Sequence, residues 1–266
     1  MFKHLLYNFI LITAVAISVT GCRSVPYTGR SQLMMSSESS ENQMGEEAWR
    51  DMCKTTKVTR DPAMTGALNR VGKNIANVAE KPEYNWEFKV FEVKEPNAFC
   101  LPGGKVAATT GIFPYFANDA EMAAVVGHEV GHAIARHAGE RMSQGIIQSG
   151  GGAALSVFTS TAGTQEAYGI VTEVGAMLPY SRTQEYEADH LGMIFMAKAG
   201  YNPAAALTFW DKFGKLGSNS RVKELLSTHP VGEKRLQELK DFYPKAMEYY
   251  NAAPVKRGLG EVYSQK

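Results

Sequence analysis

No long run of like charge interrupts this sequence. Its 28 basic and 27 acidic side chains leave a formal net charge of +1, which offers no electrostatic footprint for a polyanion and excludes nucleic acid as an expected partner. No apolar leader reaches the roughly twenty residues that a helix needs to cross a bilayer. The candidate, Leu5 to Val19, holds about fifteen and is broken by Asn8, Thr13 and Ser18. Cysteine is scarce, with three residues, Cys22, Cys53 and Cys100. Histidine is scarce too, with six residues, yet His128, His132 and His137 fall within ten positions of one another. What is abundant is ordinary globular material. With 44% hydrophobic and 21% charged residues, the chain can bury a sizeable core and reads as one folded domain with an appendage.

The appendage is the N-terminus. Lys3 and His4 give a short basic start, the apolar run follows, and VTGC, Val19 to Cys22, makes a small-residue exit that resembles a bacterial lipobox. Residues 1–21 are therefore expected to be a lipoprotein signal peptide, with Cys22 lipidated as the mature N-terminus and as the link to a membrane. Arg23, rather than an aspartate, follows that cysteine. In a Gram-negative host this favours the outer membrane, facing the periplasm. Residues 22–40 are polar, carry Pro26 and Gly29, show no helical period and read as a lipidated tether or surface strap.

The body of the domain is assigned to residues 41–251, with a loosely ordered tail at 252–266. A first helix is predicted from about Glu38, with serines as caps and Met44, Ala48 and Met52 on one side. A second begins at Asp61 and Pro62 and turns Leu68, Val71, Ile75 and Val78 inward. Tyr84 to Val93 then alternates as a half-buried strand, and Asn97 to Gly111 reads as strand, Pro-Gly-Gly turn and strand. A small sheet thus precedes the clustered histidines. From Asp119 to Arg141 there is no proline, and Met122, Val125, Val126, Val130 and Ile134 recur at helical spacing with Asp119 as cap. Further helices are predicted at about Pro203 to Leu216 and Val231 to Tyr243. Gln144 to Leu178, apolar and broken by Gly150 to Gly152, reads as a helical hairpin, packed as ordinary helices in preference to a lid over a cleft.

Within the histidine helix the sequence HEVGH puts His128 and His132 one turn apart on one face, so that both can direct ring nitrogens at a common point. Glu129 is offset by about 100° and reaches the edge of that point without ligating. This is the pattern of a zinc peptidase: two neutral imidazoles hold the metal and the glutamate serves as general base toward a water. His137 falls on another face and reads as a hydrogen-bonded histidine near the helix end. Two histidines leave a catalytic zinc one protein ligand short. The candidate is Glu185, in SRTQEYEADHLGMIFMAKAG, a helix capped by Ser181 and closed by Gly200. Asp189, four residues on, is placed to accept the spare N–H of a ligating histidine. Glu187 and His190 point to other faces and are explained by a charged, solvated surface.

These two motifs together resemble the zinc metallopeptidases of the HtpX, CAAX prenyl protease and BepA family, of gluzincin type. VPYTGRSQL at Val25 to Leu33, NAFCLPGGKVAATTGI at Asn97 to Ile112 and THPVGEKRL at Thr228 to Leu236 also match. The chain lacks appended helical repeats and multiple membrane spans, which brings it nearest to the short LoiP-like bacterial lipoproteins. The resemblance implies an α+β fold, a mostly α-helical zincin-like core with a small sheet before the active-site helix. It also implies endopeptidase activity and one Zn²⁺ per chain on His128, His132 and Glu185. His229 is the family-like candidate for stabilising the oxyanion, aided by Arg235, and a structural role ahead of Pro230 stands equally.

Three further expectations follow. Substrate is expected to pair along Lys105 to Thr109 as an added strand, with little side-chain selectivity, which points to unfolded or misassembled envelope proteins. With Cys22 lipidated, Cys53 and Cys100 form an even pair in an oxidising compartment and are expected to make a disulfide. The rival from another class is a chaperone or assembly factor that binds misfolded envelope proteins, with hydrolysis secondary.

Overall fold

A computed structural model describes residues 21–148, 180–217, 222–260 and 263. The first described element is a short hairpin, β1 (Cys22–Ser24) and β2 (Ser31–Leu33), paired antiparallel. Residues read as a tether therefore include an ordered strap that buries Val25 and Gln32. Next comes α1 (Glu38–Thr55), whose cap Ser37 accepts a hydrogen bond from the Ser40 amide and whose Met44 and Ala48 are buried. In α2 (Pro62–Ala76) the Asp61 carboxylate accepts from the amides of Ala63 and Met64, and Leu68, Val71 and Ile75 turn inward. Val78 lies just beyond the helix and is half-buried.

Three strands follow: β3 (Glu87–Phe91), β4 (Ala98–Leu101) and β5 (Lys105–Thr109). The Pro-Gly-Gly turn joins β4 to β5, with Gly103 and Gly104 at φ 80° and 87°. A Cβ on Gly104 would also come within 2.8 Å of the Trp86 ring. The order across the sheet is β3, β5, β4, with β5 parallel to β3 and antiparallel to β4. This corrects the expectation that Lys105 to Thr109 offers a free edge. β5 is the central strand, paired on both sides, and all five of its residues are buried. Among the described residues, the free edge on this side of the sheet belongs to β4.

The histidine helix is α3 (Asp119–Ile134), with every residue buried. Asn118 is its cap, accepting from the Glu121 amide, and Asp119 lies inside the first turn, paired with Arg70. The helix does not run on to Arg141 as its composition suggested. It stops at Ile134, Arg136 takes a left-handed conformation (φ 56°) clamped by Glu41, and a separate helix, α4 (His137–Gln148), starts after it. The predicted hairpin beyond Gln148 lies outside the described residues. So does the leader before Gly21.

α3 is sandwiched between the sheet and α5 (Arg182–Lys198), which is capped by a reciprocal pair of bonds between Ser181 and Gln184. The two helices touch backbone to backbone. A Cβ on Gly127 would lie 2.8 Å from the Gly192 carbonyl, one on Gly131 2.8 Å from the Ala188 carbonyl, and one on Gly192 2.7 Å from the His128 amide nitrogen. After α5 come α6 (Ala204–Gly214), α7 (Lys223–Thr228) and α8 (Glu233–Ala252). α7 is a short helix beyond those expected from periodicity, and α8 continues through Pro244 well past Tyr243. The tail is tied down in places: Arg257 donates its amide to Gly200, and Tyr263 donates its own to Ala117. No described helix is long and apolar enough to cross a membrane.

The expected disulfide is absent: Cys53 and Cys100 are both free thiols. The reason is the alternation of side chains across β4. Phe99 and Leu101 face the small cluster that contains Cys53, Met44 and Trp49, while Cys100 packs with the main core on the other face. Cys53 instead lies 3.2 Å from the Lys89 ammonium.

Gly192→Ala is expected to destabilise the metal-free protein by about 1–3 kcal/mol, since the obstructing atoms are backbone and cannot rotate away. Urea unfolding measures this, and an unchanged midpoint would show that the helices can part freely.

Candidate metal centre

α3 presents His128 and His132 one turn apart, with their Nε2 atoms 3.1 Å from each other. α5 brings Glu185 between them, Oε1 lying 3.3 Å from His132 Nε2 and Oε2 3.6 Å from His128 Nε2. The end of α7 adds His229, whose Nδ1 is 3.0 Å from Glu185 Oε1 and 3.2 Å from His128 Nε2. Donor atoms of all four residues lie within 4.8 Å of one another, and all four are buried. Three imidazoles and a carboxylate aimed at one buried point make a nitrogen and oxygen donor set that suits zinc. The residues present fit one such ion.

Glu129 stands beside this group without joining it. Its Oε1 lies 3.6 Å from His229 Nε2, and within the described structure that oxygen makes no hydrogen bond. Burial raises its carboxyl above the usual range, against the pull of His229 and His128. Burial also raises Glu185, but Arg235, His229 and His128 overcome it and hold that carboxyl well below the ordinary value. His132 is held well below its ordinary value, mainly by burial, which keeps the ring neutral as a metal ligand must be. For His229 burial lowers the value, yet Glu129 and Glu185 together raise it.

Asp189 accepts at Oδ1 from His128 Nδ1 at 2.9 Å, which leaves Nε2 of that ring for the centre. Arg235 is fully engaged nearby. Its guanidinium meets Asp189 at 2.7 and 2.8 Å and Glu185 at 2.5 Å, and lies 4.4 Å above the Trp210 ring. Asp189 and Glu185 thus hold Arg235, the residue expected to aid the oxyanion. Tyr180, which no sequence signal marked, stacks on His132 with ring centroids 3.7 Å apart.

The solvated-face reading of Glu187 and His190 is corrected. Glu187 is 5% exposed and meets Thr28, Arg30 and His137, because the strap and α4 cover the face of α5 that it occupies. His190 is half-buried against the Phe242 ring, 4.0 Å between centroids. His137 is buried and hydrogen-bonded, at the start of α4 instead of the end of α3.

A family model, peptidase family M48, matches residues 62–242, well over half of the chain and inclusive of the whole donor cluster. The chain belongs to peptidase family M48. It is 38% identical over 195 residues to mitochondrial metalloendopeptidase OMA1 of Arabidopsis thaliana, covering 72% of this chain and 39% of that protein. It is 30% identical over 248 residues to mitochondrial metalloendopeptidase OMA1 of Schizosaccharomyces pombe, covering 91% of this chain and 70% of the relative. The beta-barrel assembly-enhancing protease of Escherichia coli is 28% identical over 258 residues, covering 91% of this chain and 53% of the relative. The chain thus spans well under half of the Arabidopsis protein and about half of the bacterial one.

Asp189→Ala is expected to weaken zinc binding roughly 10- to 100-fold without abolishing it, the scale seen when a ligating histidine loses its partner. Competition against a chromophoric chelator reads this directly, and wild-type affinity would remove Asp189 from the centre.

Proposed function

We propose that this M48 chain is a zinc-dependent endopeptidase, lipid-anchored in the bacterial envelope, that hydrolyses unfolded or misassembled envelope proteins. The observation that carries the reading is the buried cluster of His128, His132 and Glu185 with Glu129 beside it and outside the donor set. Zinc held there would supply a Lewis acid that acidifies water and polarises a carbonyl. Glu129 then takes the proton from the attacking water and delivers it to the leaving amine, with no covalent intermediate on the protein. Its raised carboxyl suits a base that must also give the proton back.

The free edge of β4 supports a place for the substrate. No described backbone group outside the sheet bonds to β4 along that edge apart from turn contacts. Cys100 of β4 lines a small cavity with His132 and Tyr180, so a strand added there would run past the centre. A cleft of about 570 Å³ lined by Tyr180, Glu185, Tyr186, Pro230 and Arg235 gives room for a substrate side chain. Recognition through backbone pairing selects extended, unfolded chain over sequence. The lipobox at Val19 to Cys22 supports the anchor. A bacterial relative's description as a protease that enhances beta-barrel assembly supports the envelope, while the plant and yeast relatives are described as mitochondrial. A purely chaperone-like role is disfavoured because a base aligned on a complete donor set serves no purpose in binding alone.

His229 has two readings. Its position beside Glu129 suits a donor to the oxyanion, and its place among the donor atoms means that it would also suit a further ligand to the ion. Zinc held at wild-type affinity with slower cleavage in His229→Ala supports the first, and weakened zinc binding supports the second.

Glu129→Gln is expected to keep about one zinc per chain and lose casein cleavage by roughly 10²- to 10⁴-fold, since it removes a base and no ligand. Near-normal cleavage by that variant would sink the mechanism, and zinc-free wild-type protein would sink the metal centre.

A further inference from the structure

His132 uses one ring nitrogen toward the donor cluster, and the other is held by residues outside it. Nε2 faces His128 and Glu185, while Nδ1 lies 2.8 Å from Nδ1 of His137. A ring that ligates through Nε2 carries its proton on Nδ1 and must donate it. His137 Nδ1 is then the acceptor, and the His137 proton sits on Nε2, 3.1 Å from Glu187 Oε2. A carboxylate only accepts, so the three groups permit a single direction of donation. Glu187 is fixed in turn by Arg30 at 2.8 Å and by Thr28 at 2.9 Å, both from the strap. The far side of the same guanidinium grips Glu140 of α4 at 2.6 and 2.7 Å, and Gln184 of α5 donates to Glu140 at 2.8 Å. Beside it, Gln32 of β2 donates to the Ala135 carbonyl at the end of α3.

We propose that His137, Glu187 and Arg30 form a positioning relay that fixes the tautomer and ring orientation of His132, which makes the N-terminal strap a working part of the metal centre. The proposal rests on the reading that His132 ligates zinc. Asp189 performs the same service for His128 directly, with one carboxylate. On His132 the carboxylate stands one ring further away, and the strap supplies the cation that holds it. The connection runs from the ligand through His137 and Glu187 to Arg30, a short distance along the chain from Cys22.

The test measures zinc affinity of the full chain by chelator competition, at a temperature where each metal-free variant is folded by circular dichroism. His137→Leu removes both the acceptor and the donor and is expected to weaken zinc roughly 10- to 100-fold. His137→Gln restores both, an amide oxygen toward His132 and an amide N–H toward Glu187, and is expected to recover most of that loss. A role in packing alone predicts the opposite ranking, with the apolar leucine tolerated and glutamine not. Arg30→Gln, on the partly exposed strap, is expected to weaken zinc in the same direction by a smaller factor. It decides the matter if His137→Leu does not fold. In nitrogen-15 spectra of zinc-loaded wild-type protein, His132 is expected to carry a slowly exchanging Nδ1 proton, and Arg30→Gln to speed its exchange. Zinc bound by wild type with equal affinity in His137→Leu, or in Arg30→Gln where His137→Leu does not fold, would overturn the relay and leave the metal centre standing. Wild type that binds no zinc would overturn both.

Discussion

The backbone contact between α3 and α5 is the constraint on which the centre depends. Gly127 and Gly131 on one helix and Gly192 on the other let the two axes approach until carbonyl and amide groups nearly touch. Only at that separation does a side chain as short as Glu185 reach the point where His128 and His132 converge. Everything around it maintains the approach. The sheet covers one side of α3, the strap and α4 cover the face of α5 that carries Glu187, and α8 brings Arg235 across to Asp189 and Glu185.

Concentrating these charges away from water carries a cost that geometry alone does not remove. Glu185, Asp189, Glu129 and Arg235 are all buried, together with three histidines of the donor cluster. Arg235 offsets two of the carboxylates, and a divalent cation at the donor point would offset the remaining negative charge while using the lone pairs of the rings. The same arrangement separates roles. Glu185, pressed against Arg235, is kept ionised, whereas Glu129 has no such arginine contact and burial lifts its carboxyl. Two glutamates that both face His229 thus receive opposite tendencies from their neighbours, one toward ligation and one toward proton transfer.

Helical periodicity made much of this legible in the sequence. The i, i+4 spacing of His128 with His132 and of Glu185 with Asp189 placed each pair on a face, and caps such as Asp61 and Ser181 marked where helices begin. The features that the sequence hides depend on contacts between distant segments. β4 and β5 read as a hairpin, and nothing local reveals that β3 lies parallel on the other side of β5. A charged residue such as Glu187 on a helix gives no sign that Arg30, far away in the chain, will cover it. Number and compartment favour a Cys53–Cys100 pair, while the pleat of β4 turns Cys100 away from the cluster that holds Cys53. The break at Arg136 was hidden by strong helix formers on both sides, since a left-handed residue held by Glu41 leaves no composition signal.

The central claim, that His128, His132 and Glu185 form the zinc site, is tested most directly by X-ray absorption at the zinc edge of purified, zinc-loaded protein. Zinc on these residues is expected to show nitrogen and oxygen neighbours only, at about 2.0–2.2 Å, with imidazole scattering from at least two histidines. A sulfur neighbour at about 2.3 Å would contradict it by placing the metal on a cysteine such as Cys100, and so would a spectrum without imidazole.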